Sequence, residues 1–200
     1  MPISDKREYR SIPIPVMETR KDDDGNMFVE GYASTFAPYL LYSWGDTDYY
    51  ERIDPHAFDE ADMSDVIFQR DHSGPVMART SNGTIELTID SHGLHQRTDL
   101  SKTESARQMF EEIREGMYAQ MSFAFTIRED SYDRDTHTRN ILKIDKVYDV
   151  SAVSFPANPD TNISVSTRNW LNGVIEAEEA ERLRAENDKN IELLKLKLKL

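Results

Sequence analysis

Met117-Tyr118-Ala119-Gln120-Met121-Ser122-Phe123-Ala124-Phe125-Thr126-Ile127 alternates residue by residue. In an extended chain Met117, Ala119, Met121, Phe123, Phe125 and Ile127 share one face. Tyr118, Gln120, Ser122, Ala124 and Thr126 share the other. Successive side chains of a strand point to opposite sides of its sheet, so the pattern predicts a long strand with one apolar and one mixed face. Just upstream the period changes. Ala106, Met109, Phe110, Ile113 and Met117 recur at helical spacing, Ser101 and Glu104 have capping-box spacing, and Gly116 supplies a stop. A helix leading into the strand is predicted.

Working outward, residues 27–36 read as a strand, with Gly31 a bulge or close-packing point. Residues 37–50 are aromatic and irregular and read as a long loop. Asp54-Pro55 before His56-Ala57-Phe58 has the form of a helix start. Residues 65–70 form a short strand that exits through Asp71-His72-Ser73-Gly74-Pro75. Residues 76–80, 84–90 and 94–100 read as successive strands parted at Asn82-Gly83 and His92-Gly93. Asn-Gly is the strongest hairpin signal in the chain. Residues 128–138 read as a charged hairpin loop and residues 139–155 as one or two strands. Phe155-Pro156-Ala157-Asn158-Pro159 then breaks the sheet.

Three regions are expected: a polar N-terminal arm (1–25), a central domain (26–165) and a charged, helix-favouring C-terminal tail (166–200). The tail has one dense apolar patch, at Trp170, Leu171, Val174 and Ile175. The fold class is α+β, mainly β: a barrel or compact sheet with helices packed outside.

The 200 residues suffice for a core without staples, and the absence of cysteine excludes disulfides and thiolate metal sites. A net charge of −13 argues against nucleic-acid backbones and anionic membrane surfaces as partners. No apolar run reaches the length of a membrane span, and the first residues lack a signal-peptide segment. A soluble intracellular protein is expected. Gly-x-Ser-x-Gly, P-loop, Rossmann glycine and His-Glu-x-x-His patterns are absent.

Chemistry therefore rests on scattered residues. Ser122 interrupts an apolar strand. It reads either as a satisfied hydroxyl filling space or as a nucleophile, which would need an adjacent base. His72, where a strand gives way to a Gly-Pro loop, is either a capping histidine or that base. Asp149 sits in Val147-Tyr148-Asp149-Val150-Ser151-Ala152-Val153, where a carboxylate must find a partner. A structural arginine or an oriented histidine would serve. His92 and His95, near Asp90, and His56 raise a metal-site alternative. On a strand, however, residues three apart face opposite ways, and zinc needs three or four converging ligands. No cofactor or metal is expected.

Five segments in order resemble the prohead (head maturation) serine proteases of tailed bacteriophages. They are Gly31-Tyr32-Ala33-Ser34-Thr35-Phe36, Glu51-Arg52-Ile53-Asp54-Pro55-His56-Ala57-Phe58, Val66-Ile67-Phe68-Gln69-Arg70-Asp71-His72, Gly116 to Phe125, and Asp149 to Pro159. The resemblance spans roughly residues 26–165 and implies a fold similar to herpesvirus assemblins, a closed, mostly antiparallel β-barrel surrounded by helices. It implies a serine endopeptidase with Ser122 as nucleophile and His72 as base. Asp149 is the expected third member, with His95 and Asp71 as runners-up, because the family often carries Glu where this chain has Asp149. The implied substrates are the scaffolding segment of the major capsid protein, other scaffold and the protease itself, inside the procapsid of a phage or prophage in the host cytoplasm. The resemblance also allows a homodimer through the helix around residues 106–113 or the Trp170 patch. An inactive capsid-assembly or scaffold module of the same fold is the alternative. Oxyanion donors are sought in the loop after Asn158 and in residues 128–139.

Overall fold

A computed structural model describes residues 7–11, 17–154 and 165–198. In chain order its elements are β1 (Glu8–Ser11), β2 (Glu18–Lys21), β3 (Met27–Thr35), β4 (Tyr39–Trp44), β5 (Thr47–Ile53), β6 (Ile67–Arg70), β7 (Ser73–Arg79), β8 (Ile85–Ile89) and β9 (Gly93–Asp99). They continue with α1 (Glu104–Arg114), β10 (Gln120–Asp133), β11 (Thr138–Val153) and α2 (Val165–Lys197). The chain divides into two compact units, Met1–Ile163 and Ser164–Leu200. The second contributes α2.

The described residues are mostly β, with two α-helices. β10 and β11 form its spine, a long antiparallel hairpin in which Gln120 lies opposite Val153 and Asp133 opposite Thr138. The stretch expected to be a charged loop at 128–138 is largely strand. Arg128, Glu129 and Asp133 are exposed, Asp130 bonds the buried Arg139, and only residues 134–137 turn. β1 pairs with the free side of β10. The other side of β11 is shared: β5 runs parallel to its first half and β6 parallel to its second. β4 extends the sheet beyond β5, and β7 pairs with β6. A second sheet has the order β2-β3-β9-β8.

Neither sheet closes, so the expected closed barrel is not what forms. Among the described residues β1, β4, β7, β2 and β8 each pair on one side only. The reason lies at Asn82-Gly83. Instead of turning a hairpin, Thr80–Asn82 makes a 3-10 turn, and Gly83 leaves it at φ 77°, handing the chain from the first sheet to the second. A barrel needs the ladder to continue around its circumference. Here the ladder stops and two sheets face one core. Val29, Ile85 and Leu94 from one sheet and Phe123, Phe125 and Val150 from the other belong to a single buried cluster.

Three other local expectations change. Residues 37–50 hold most of the β4–β5 hairpin, turning at Gly45 (φ 59°). The alternation of β5 is masked in the sequence because Glu51 faces inward beside Tyr49 and Ile53. Asp54 does cap a turn, accepting the His56 amide at 2.9 Å, but the following residues make successive turns and no helix. Helix α1 starts later than the Ser101 box predicts: Thr103 is the N-cap and accepts from the Ala106 amide at 3.1 Å. Its C-terminus is a Schellman motif. Gly116 N–H bonds Ile113 O and Met117 N–H bonds Glu112 O, both at 2.9 Å, with Gly116 at φ 77°. Ala106, Met109, Phe110 and Ile113 are buried in the molecule's own core, which leaves this face no apolar stripe for dimerisation.

Candidate active site

The strand order β10-β11-β6 brings the candidate side chains together. Ser122 on β10 lies opposite Ser151 on β11, and Ala124 lies opposite Asp149. Directly opposed residues project to the same face, so Ser122, Ala124, Asp149 and Ser151 share it. The small Ala124 and Ser151 leave room for an imidazole above them. On the far side of β11, Ile67 of β6 pairs with Asp149, and β6 ends in the tight turn carrying His72.

That turn explains how a histidine reaches the sheet. Asp71 and His72 have φ of 44° and 55°, and Arg70 pairs with Ser73. Two consecutive left-handed residues make the type I′ geometry of a two-residue hairpin, usually Asn-Gly. Holding Asp and His there costs backbone energy, which surrounding contacts must offset. They do so through Asp71. Its amide donates to Ala152 O at 3.0 Å, and its carboxylate accepts the Ser154 amide at 2.9 Å. Asp71 therefore ties the turn to the end of β11, while its carboxylate engages Ser154.

His72 Nδ1 bonds Asp149 Oδ1 in a very short contact, and His72 Nε2 lies 2.6 Å from Ser122 Oγ. Asp149 is buried, and so is Ser122; the His72 side chain is 16% exposed. Ser151 Oγ also donates to Asp149 Oδ1, at 2.7 Å. The Tyr9 ring packs edge-on against the His72 ring, with centroids 4.7 Å apart. The hydroxyl of Ser122 has a further acceptor, the carbonyl of Arg10 at 2.9 Å. A hydroxyl, an imidazole and a carboxylate in series are the parts of a serine nucleophile with an oriented base. The family of caudovirus prohead serine proteases matches residues 16–173.

The chain belongs to this family. No curated protein and no solved structure gives a significant match. Membership implies a class of activity, that of a serine protease in phage head maturation. His95 lies on β9 in the other sheet, with its ring against Tyr32 at 5.0 Å between centroids. His92 reaches the same ring from the β8–β9 turn, and the Tyr32 hydroxyl donates to Asp90 at 2.7 Å. The turn lets the two histidines approach one tyrosine although they lie three apart. His56 is exposed and bonds Asp59. Among the described residues no three His, Asp or Glu side chains cluster as a metal site.

Of the two regions considered for oxyanion donors, residues 128–139 are at the far end of the hairpin, beginning roughly 20 Å along the strand from Ser122 at 3.3 Å per residue. The loop after Asn158 lies outside the described residues, as does the break at 155–159. Three neighbours of the site were not foreseen from sequence. Ser151 was legible, being two residues from Asp149 on the same face of a strand. Tyr9 and Arg10 gave no signal, because a four-residue strand in a polar arm has too little period to read.

Proposed function

We propose that Ser122, His72 and Asp149 form the catalytic triad of an endopeptidase that cuts the scaffolding segment of the major capsid protein, other scaffold and its own chain during head maturation. The observation that carries this reading is the continuous hydrogen-bonded series from Asp149 through both nitrogens of His72 to Ser122. Asp149, which when ionised can only accept, holds the Nδ1–H of His72 by a hydrogen bond and so leaves the Nε2 lone pair toward Ser122. His72 then removes the hydroxyl proton as Oγ attacks the scissile carbonyl. The imidazolium is stabilised by Asp149 and gives its proton to the leaving amine. Water, deprotonated by the same nitrogen, releases the acyl group.

The charged C-terminal region from about residue 166 is the segment we expect to engage scaffold and to be removed by self-cleavage. Co-expression with the cognate capsid protein tests the reading: wild type, Ser122→Ala and His72→Ala are compared by gel and intact mass. Shortened capsid protein with the wild type alone, with shells assembled in all three, is expected. Unchanged processing in either variant would overturn the assignment. A wild-type mass that stays fixed while capsid protein is being cut would remove self-cleavage from it.

A further inference from the structure

The nucleophile already has a peptide strand beside it. β1 runs antiparallel along the outer edge of β10, with Ser11 opposite Ser122, Arg10 opposite Phe123 and Tyr9 opposite Ala124. It touches the site at two points: the Tyr9 ring on His72, and the Arg10 carbonyl accepting from Ser122 Oγ. A serine hydroxyl has one proton and here two acceptors, Arg10 O and His72 Nε2. When the proton goes to Arg10 O, His72 Nε2 can bond Oγ only by donating. A donating Nε2 has no lone pair with which to act as base.

The side chains of β1 are held as a bound peptide's would be. Arg10 Nη2 bonds Glu51 Oε2 at 2.7 Å, and both residues are buried. Glu51 also takes the Tyr39 hydroxyl, and Arg139 bonds Glu51 and Asp130. Were β1 to leave, Glu8 and Arg10 would leave with it. The slot would then hold two carboxylates, Glu51 and Asp130, against one guanidinium, Arg139. A buried carboxylate lacking a counter-charge is costly, so the empty slot attracts a cation.

Building on the triad reading above, we propose that the β10 edge is the docking edge for an extended substrate chain, that β1 occupies it at rest as a pseudo-substrate, and that Glu51 selects a basic side chain at the place of Arg10. An added strand gains its affinity from main-chain hydrogen bonds and its specificity from alternate side-chain pockets. Such a strand must displace β1, which delays catalysis until substrate is concentrated around the enzyme. The competent fraction of free enzyme scales its apparent affinity.

The chain has no cysteine, so a single engineered pair can be locked and released cleanly. Glu8→Cys with Phe125→Cys joins directly opposed residues whose side chains lie on the face of β10 away from His72, so neither thiol enters the site. The readout is the rate at which an alkyl fluorophosphonate labels the protein, oxidised against reduced, with Ser122→Ala as the blank. The reduced form should label about tenfold faster or more, because only it can release β1. A synthetic peptide of residues 7–11 should slow labelling of the reduced form, and the same peptide with Glu at the place of Arg10 should not. Equal rates in the two forms overturn the docking edge. Equal effects of the two peptides overturn the basic selection. No labelling of wild type above the blank is a different failure, that of the triad itself. Glu51→Gln, which weakens the hold on β1 without a crosslink, should speed labelling of the otherwise wild-type chain. A folded variant that labels no faster counts against the proposal.

Discussion

Asp149, buried in the sheet, accepts from two donors on one oxygen, His72 Nδ1 and Ser151 Oγ. The pairing fixes which nitrogen of His72 faces Ser122. Asp149→Asn keeps the shape but can present an amide N–H to the ring and favour the wrong tautomer. Capsid cleavage should fall by about ten-thousandfold while the thermal transition moves little. Ser151→Ala removes one hydrogen bond and leaves the charge pair, so the loss should be about tenfold, of the order of one net hydrogen bond. Ser151 acts through Asp149. Its Thr variant, which keeps the hydroxyl, should recover more rate than Ala. Rate and melting temperature measured on the same preparations separate the orienting role from a packing role.

Elements bring these residues into range through a few special backbone positions. The β6–β7 turn presents His72 only because both its residues accept left-handed φ and Asp71 bonds the end of β11. At the other sheet, a Cβ built on Gly93 would come 2.0 Å from the Ser34 carbonyl oxygen. That neighbour is backbone next to the irregularity between Tyr32 and Ser34, so it cannot simply rotate away. Gly93→Ala should destabilise the protein by about 3 kcal/mol, read as a lower denaturant midpoint. Thr103→Ala removes the α1 cap and should cost about 1 kcal/mol in the same assay, without changing cleavage at low temperature. Thr103→Ser should restore the cap.

Over the whole molecule, the buried charges on β1, β5, β10 and β11 link the arm to the sheet. Burial alone would raise the Glu8 carboxyl, but the charges and hydrogen bonds of Arg10 and Arg139 outweigh it and hold its pKa at about 2, below the usual 4.5. A carboxyl depressed in the folded state contributes stability that is present above its unfolded pKa and lost as pH falls through its folded one. Stability should therefore decline between about pH 4.5 and about pH 2, by up to about 3 kcal/mol from this group. Glu8→Gln should flatten that part of the profile in denaturant titrations, and should lower stability near neutrality by leaving Arg10 and Arg139 with one carboxylate fewer. A profile identical to wild type would show that the network does not govern acid unfolding.

The amino-acid sequence by itself determined the β10 strand, the apolar face of α1 and its Gly116 stop, because period and stop chemistry are local properties of the chain. It also limited the chemically apt residues to a few, since a hydroxyl, an imidazole and a carboxylate in apolar surroundings each need a stated reason to be there. Convergence is different. Ser122, His72 and Asp149 are brought together by the order β10-β11-β6, in which β6 lies parallel to the second half of β11, and no local period encodes which strand lies beside which. The same holds for Asn82-Gly83. Its turn signal is genuine, but the neighbouring strands find better partners in two different sheets, and the ladder stops short of a barrel. The position of β1 against Ser122 is also tertiary in origin: Glu8 and Arg10 are polar residues of an arm until Glu51 and Arg139 meet them inside the fold.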